Sequence, residues 1–220
     1  MSLTSLVLMS GGLDSCVLAY QLIKEDKKIR GLYFDFGLDP SMHELQSVKK
    51  MALDLSIPLE IVDISGIAKM LMGYIPLQEI MADELDVGPE PTLRSNVSGF
   101  AVLLSIATYY AQIINISNIK VGVLSEQKAV RPNLNEFFTS WSSTIQLLNE
   151  KCEKFLIDAP FLNMKKSDVV KIGNTLNVPF VDTWSCYRAT PIHCGECSAC
   201  LARKNAFSVA SVKDQTEYQQ

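Results

Sequence analysis

Six consecutive residues, Ser10-Gly11-Gly12-Leu13-Asp14-Ser15, set two glycines among three oxygen-bearing side chains. Gly11 and Gly12 let backbone N–H groups approach an anion with no Cβ between them. Ser10 and Ser15 can donate hydroxyl hydrogen bonds to phosphate oxygens. Asp14 can cap a helix or hold Mg²⁺ against the same phosphates. No Gly-Lys-Ser/Thr follows, so this is not a Walker A loop, and it is not the G-x-G-x-x-G dinucleotide fingerprint. Its chemistry is that of a phosphate cradle, with Ser10, Gly11, Gly12, Leu13, Asp14 and Ser15 as the cofactor-binding positions.

A second cluster lies near the other end. Of six cysteines, four are spaced Cys186-x7-Cys194-x2-Cys197-x2-Cys200. A Cys-x2-Cys knuckle directs two thiolates at one ion, and four thiolates close a tetrahedral shell of the structural zinc type. An iron–sulfur cluster uses the same ligand set. Two-residue spacings and a cytoplasmic setting argue against disulfides. His193 abuts Cys194 and reads as a neighbour of a closed site, while Cys16 and Cys152 read as small core residues.

The elements that must position these residues alternate along the chain. Apolar runs at Ser5–Met9, Ile29–Phe36, Leu59–Ile64, Ile119–Leu124 and Phe155–Ile157 predict buried strands. Helical patterns fall at Asp14–Lys24, His43–Leu55, Ser95–Asn115, Asn133–Cys152 and Lys166–Leu176. This order predicts an α/β fold with a doubly wound, mostly parallel five-stranded sheet. Such sheets bind ligands outside the carboxyl ends of their strands, which puts Ser10–Ser15, Asp35–Gly37 and Ser125–Asn133 on one rim.

Length and charge narrow the class. A chain of 220 residues is most simply one domain. The formal net charge of −4 argues against direct nucleic-acid binding, which calls for a basic face. Gly99–Ile116 is the most apolar stretch, but Ser105, Thr108, Gln112 and Asn115 interrupt it and no basic flank follows. It reads as a buried helix and not a membrane span. With no basic leader at the N-terminus, the expected location is cytoplasmic. Gly73–Pro91 is acidic, carries Pro76, Pro89 and Pro91, and is long for a connection, as lids and disordered segments are.

Ser10-Gly11-Gly12-Leu13-Asp14-Ser15 resembles the S-G-G-x-D-S pyrophosphate loop of the PP-loop ATP pyrophosphatases. Members of that superfamily share an adenine nucleotide α-hydrolase-like fold, adenylate a substrate oxygen and release pyrophosphate. Thr183-Trp184-Ser185-Cys186-Tyr187, followed by Cys194-Gly195-Glu196-Cys197-Ser198-Ala199-Cys200 and Arg203, resembles the T-W-S-C-Y and C-G-x-C-x-x-C-x-x-R signatures of the QueC (ExsB-like) family. Tyr33–Gly37, with Glu44 close behind, and Ala159–Phe180, which contains Lys166, are similar to family segments too. The resemblance spans nearly the whole chain. It implies a 7-cyano-7-deazaguanine synthase of queuosine biosynthesis, using ATP, Mg²⁺, ammonia and a deazaguanine acid, with Zn²⁺ on the four cysteines. It also implies a homodimer, with the domain running over 1–220 and a zinc tail at about 183–210. Asp14, Ser15 and Lys166 would then be catalytic, Lys166 stabilising leaving-group charge unless it is only a solvated lysine at a helix start. Asp35 would join the cofactor-binding set.

The sequence departs from the family around the substrate. Leu93-Arg94-Ser95-Asn96 stands for the usual G-R-N, and Gly37-Leu38-Asp39-Pro40 for G-Q-R-H. Gly122-Val123-Leu124-Ser125-Glu126-Gln127 and its continuation replace a run such as G-V-N-x-x-D-x-S-G. Arg94, Asn96, Glu126 and Gln127 are the candidate substrate residues, Glu126 as acceptor for a guanine-like edge and Arg94, with Lys128, for a carboxylate. Altered contacts of this kind imply altered handling of acid or acceptor. Two further readings follow: transfer of a deazaguanine acid to a protein or other amine, as in paralogues associated with antiphage operons, and a zinc-ribbon binding module with a degenerate nucleotide site.

Overall fold

The central strand of the sheet is β1 (Ser5–Leu8), and its side chains explain why: Leu6 and Val7 are both fully buried although they point to opposite faces. The computed structural model describes residues 4–25, 27–37, 39–67, 97–130, 132–148, 154–188 and 190–219. After β1 come α1 (Leu13–Lys24), β2 (Ile29–Asp35), α2 (Asp39–Asp54) and β3 (Leu59–Asp63). Then follow α3 (Val97–Ile113), β4 (Asn118–Val121), α4 (Ser125–Val130), α5 (Leu134–Leu148) and β5 (Leu156–Asp158). The described chain finishes with α6 (Lys166–Thr175), a 3₁₀ turn (Phe180–Asp182) and α7 (Ser198–Ala210).

The five strands are ordered β3-β2-β1-β4-β5 and every pairing is parallel. Leu6 is paired with Arg30 of β2 on one side and Ile119 of β4 on the other. The strand order therefore reverses between β1 and β4, and a crevice opens at their carboxyl ends, where open α/β sheets bind ligands. The period-two alternation of each strand divides the core. Val7 and Tyr33 pack with Val17 and Leu18 of α1, Val169 and Val170 of α6 and Phe207 of α7. Leu6, Leu32 and Phe34 pack with Leu104 and Ala107 of α3, Phe138 of α5 and Phe155.

All five predicted runs form strands, and the sheet is wholly parallel. The apolar helix is α3, with Leu103, Leu104, Ala107 and Ala111 buried on the sheet and Tyr109 and Ile113 open to solvent. No described helix is long and apolar enough to cross a membrane. Boundaries differ at α2, which begins at Asp39 and not at His43, because Asp39-Pro40 suits the first turn of a helix. Helix α4 occupies what reads as a rim loop from the sequence, and α7 begins inside the cysteine motif. Gly73–Pro91, Arg94, Asn96 and Cys152 lie outside the described residues.

Candidate functional site

Loop 10–15 joins β1 to α1, and its backbone is bent into an open cradle. Gly11 has φ +74°, and a Cβ there would lie 2.5 Å from the Glu44 carbonyl oxygen of α2, so only glycine fits. Gly12 is the extended N-cap of α1 and gives it no side-chain cap. The first-turn N–H groups are thus left for a ligand, and the helix dipole favours an anion there. Ser10 and Ser15 hold the curve: Ser10 N–H donates to Ser15 Oγ at 3.1 Å and Gly12 N–H to Ser10 Oγ at 3.3 Å. Ser15 Oγ also donates to the Gly12 carbonyl at 3.2 Å, and the two hydroxyls meet at 3.2 Å. Leu13 is buried and contributes only backbone to the loop.

Asp14, in the first turn of α1, forms a 2.8 Å ion pair through Oδ2 with Lys166 Nζ, although 152 positions separate them. Its Oδ1 is buried and has no hydrogen-bond partner among the described residues. A hard cation that takes oxygen ligands, such as Mg²⁺, fits that oxygen. Lys166 opens α6, and its N–H donates to Glu126 Oε1 at 3.0 Å. Glu126 Oε2 accepts from Ser125 Oγ at 3.2 Å. Glu126 therefore caps α6 from α4 and fixes the backbone that carries Lys166 to the loop.

Beside the loop, at the carboxyl ends of β1, β2 and β4, lies a cavity of about 260 Å³. Ser10, Asp14 and Ser15 form its polar side, while Phe34, Phe36, Phe100 and Leu134 supply apolar walls. Gln127 also lines it, with Oε1 accepting from Leu124 N–H at 2.9 Å. A small, largely apolar space with hydroxyl and carboxylate groups at one end suits an apolar-faced ring attached to a polar group.

The four cysteines of the second cluster meet as their spacing predicts. Cys186, Cys194, Cys197 and Cys200 are all buried, their sulfurs lie within 4.8 Å of one another, and all are free thiols. Backbone N–H groups of Arg188 and Cys194 point at Cys186 Sγ, both at 3.4 Å, and that of Cys197 at Cys194 Sγ at 3.3 Å. Contacts with Cys186 and Cys200 pull Cys197 toward the thiolate, while contacts with Cys186 and Cys197 push Cys200 upward. Four converging sulfurs with N–H···S support are what a tetrahedral metal needs.

Trp184 links the two centres. Its N–H donates to the Gly11 carbonyl at 2.9 Å, and its ring nitrogen to the Cys186 carbonyl at 2.8 Å. The ring stacks on His43 of α2 at 4.0 Å and 13°, and meets His193 at 4.2 Å on another side. Burial, with Arg203 nearby, pushes the His193 imidazole down to about 4, so it is neutral at pH 7. Its Nε2 accepts from Ser185 N–H at 3.0 Å, which leaves the proton on Nδ1. Arg203, fully buried on α7, donates to Thr183 Oγ1, Ser185 Oγ and the Phe180 carbonyl at 2.7, 3.1 and 2.8 Å.

The structure thus gathers Ser10, Gly11, Gly12, Asp14, Ser15, Lys166 and Gln127 at one place. Glu126 is one step removed, as the cap of α6, and Lys128 binds Asn163 Oδ1 at 2.7 Å. Asp35 ends β2 and uses Oδ1 to accept from Gly37 N–H at 2.9 Å. Arg94 and Asn96 are outside the described residues. His43 and the aromatic lining of the cavity were not signalled by the sequence. Phe34 and Phe36 lie in a strand run that reads simply as core, and no spacing ties His43 to Trp184.

A family model described as "Queuosine biosynthesis protein QueC" matches residues 4–211. The chain is 31% identical over 227 residues to the 7-cyano-7-deazaguanine synthase of Methanobrevibacter smithii, with 99% of each chain covered. It is 33% identical over 223 residues to that of Brucella anthropi, covering 98% of this chain and 93% of the relative. Among solved structures, the U34-tRNA thiolase NcsA of Methanococcus maripaludis superposes with a TM-score of 0.54 at 14% identity, over 96% of this chain and 66% of that one. NMN synthetase from Francisella tularensis gives 0.53 at 15%, over 96% and 78%. At such identities the two structures speak for the fold alone.

Proposed function

The chain belongs to the QueC family, and on that premise we propose that it is an ATP-dependent carbon–nitrogen ligase. In this reading it adenylates a 7-carboxy-7-deazaguanine-type carboxylate and uses ammonia to form 7-cyano-7-deazaguanine, releasing AMP and pyrophosphate. The observation that carries the proposal is the Lys166–Asp14 pair, 2.8 Å long, set on the phosphate cradle at the mouth of the cavity.

The carboxylate oxygen attacks the α-phosphorus as its bond to pyrophosphate breaks. Gly12 N–H, the first-turn N–H groups of α1 and the Ser10 and Ser15 hydroxyls hold the leaving pyrophosphate, and Lys166 offsets its growing charge. Asp14 would hold Mg²⁺ through Oδ1, where the ion supplies charge neutralisation on the phosphates. Ammonia then attacks the acyl carbon, AMP leaves and the amide forms. In a second round the amide oxygen takes the adenylyl group, and loss of AMP and protons leaves the nitrile. One cradle serves both rounds because each develops charge on the same leaving group. Asp35 stands on the same rim as a cofactor-binding position. The four cysteines fit zinc in a structural role. The active form in this reading is a cytoplasmic homodimer, each chain one domain over 1–220 with its metal tail at about 183–210.

A second reading keeps the adenylation but passes the acyl group to a protein or other amine. One observation supports it: Glu126, the expected acceptor for a guanine-like edge, already accepts from Lys166 N–H and from Ser125 Oγ and so serves the end of α6. A binding module with a degenerate nucleotide site is disfavoured by the intact Asp14–Lys166 pair. The test is product analysis with ATP, Mg²⁺ and the deazaguanine acid. AMP and pyrophosphate, formed only when the acid is present, are expected; ADP and phosphate would overturn the mechanism.

A further inference from the structure

A peptide plane carries its C=O and the following N–H in opposite directions. In loop 10–15, the Gly11 carbonyl is taken by Trp184 N–H at 2.9 Å. The Gly12 N–H of the same peptide is therefore turned the other way, toward Ser10 Oγ at 3.3 Å, on the side where Ser10 lines the cavity. Gly11 itself, at φ +74°, has no side chain to resist a flip of this peptide. The shorter bond from Trp184 on the carbonyl side, with that to Ser10 Oγ on the N–H side, holds the plane.

Trp184 is in turn fixed by the cysteine centre. It lies two positions before Cys186, its ring donates to the Cys186 carbonyl, and it packs in one buried cluster with Cys186, Cys194, Cys197 and Cys200. Its chain neighbours Thr183 and Ser185 are both held by the single buried guanidinium of Arg203. On the loop side, the indole stacks on His43, whose neighbour Glu44 presses its backbone against Gly11.

We propose that Trp184 is a positioning residue that couples the cysteine centre to the phosphate loop: it sets the Gly11–Gly12 peptide with the Gly12 N–H toward the anion, and metal on Cys186 keeps it there. The metal thereby governs how tightly the loop grips pyrophosphate, although no ligand of the metal reaches the nucleotide. The proposal rests on reading loop 10–15 as a phosphate cradle.

The test is binding of inorganic pyrophosphate to the full chain by titration calorimetry, alongside elemental analysis. Trp184→Leu at full metal content keeps the backbone N–H but loses the ring's stacking on His43 and its bond to the Cys186 carbonyl. If these anchors set the peptide, pyrophosphate binding should weaken roughly tenfold, the worth of the Gly12 N–H bond to a charged group. Trp184→Phe, which restores a ring against His43 but not the bond to the Cys186 carbonyl, should recover only part of it. Chelating the metal from the unsubstituted chain, with circular dichroism showing the sheet intact, should cause the same loss, and zinc should reverse it. That arm needs no substitution. In a Trp141→Phe background Trp184 is the sole indole of a chain with two tryptophans, so its emission should shift both on metal removal and on pyrophosphate addition. Unchanged pyrophosphate affinity after metal removal, or in Trp184→Leu with its metal bound, overturns the coupling alone. A native chain that binds no pyrophosphate overturns the cradle reading, and the coupling with it.

Discussion

Lys166 Nζ and Asp14 Oδ2 are held 2.8 Å apart by elements that meet only in the folded sheet, so neither side chain is in its place without the other. Asp14→Ala should cost ~10²–10³ in kcat, the worth of a contact to developing charge, and Lys166→Met a comparable amount. Because each orients the other, the double variant should lose clearly less than the product of the two single losses. Steady-state rates of AMP formation decide this, and a fully multiplicative loss would mean that the pair does not act as a unit. Arg203 poses a different question of charge. Its Nε is buried without a hydrogen bond among the described residues, and Asp214 Oδ2 lies 3.6 Å away. Burial works against the Asp214 carboxylate, but hydrogen bonds from Tyr218 and Thr216 outweigh it and hold the group below its ordinary range. The sign follows: this stabilisation is fully present above the unfolded carboxylate value near 4 and is lost as pH falls through the lower folded one. Asp214→Asn leaves the guanidinium uncompensated and should cost about 3–5 kcal/mol at pH 7. Denaturant unfolding at pH 7 and pH 3 should show a shallower pH dependence in that variant; an equal slope would remove Asp214 from the account. At this scale the sequence was readable where chemistry is local. Loop 10–15 and the cysteine spacing carry their meaning within a few residues, whereas Asp14–Lys166 and Arg203–Asp214 depend on packing that no local pattern encodes.

Two elements escaped the sequence reading, each for a physical reason. Helix α4 is only six residues long, too short for a 3.6-residue period to show, and its stability comes from Glu126 and Gln127 bonding neighbouring segments. Helix α7 starts at Ser198, between two metal-type cysteines, so its first turn is composed for ligation and not for amphipathic patterning. Both matter for the site, since α4 supplies the cap under Lys166 and α7 supplies Cys200 and Arg203. The segment 212–219 also bears on the cysteine centre. Tyr218 packs on its cluster, pairs with His193 in a bridge, and Gln219 N–H donates to the His193 carbonyl at 2.8 Å. We expect one zinc per chain by elemental analysis, held by Cys186, Cys194, Cys197 and Cys200; stoichiometric iron with visible absorbance would assign a cluster. Sites of this type contribute ~10–16 kcal/mol of apparent binding free energy that is also folding free energy. Cys200→Ser should therefore expose the region around residues 183–210 to proteolysis and not merely slow the chemistry. Removing residues 217–220, which keeps Asp214 beside Arg203, should speed metal extraction by a chelator several-fold with little change in the sheet. Extraction at the native rate would show that the segment only decorates the surface.

The parts of the molecule as a whole were not equally legible in the sequence. Its five-stranded parallel sheet and the meeting of its four cysteines match what the sequence predicts, because a buried parallel sheet and a four-thiol site each impose strong local patterns. The substrate side was far less legible. Arg94 and Asn96 lie outside the described residues, and Glu126 is spent on the end of α6. Of the substrate candidates, Gln127 alone lines the cavity among the described residues. A single amide can hydrogen-bond a purine-like edge, but it offers no charge to distinguish the acid from the amide that replaces it. In the proposed reaction the two adenylations would ask different things of the pocket: the first would present an anionic oxygen to ATP, the second a neutral, weakly nucleophilic one that needs tighter placement. Loose recognition should thus slow the second round more than the first. With ATP, Mg²⁺, 7-carboxy-7-deazaguanine and ammonium, mass spectrometry over time should show the acid consumed, the amide accumulating, and the nitrile following with a lag. Nitrile formed with no detectable amide would show that the pocket holds both forms equally well, and would refute the link between these changed residues and the second step. An adduct with an added amine, formed in preference to the amide, would favour the second reading of function. Failure to consume the acid at all would mean that another planar carboxylate fills this cavity.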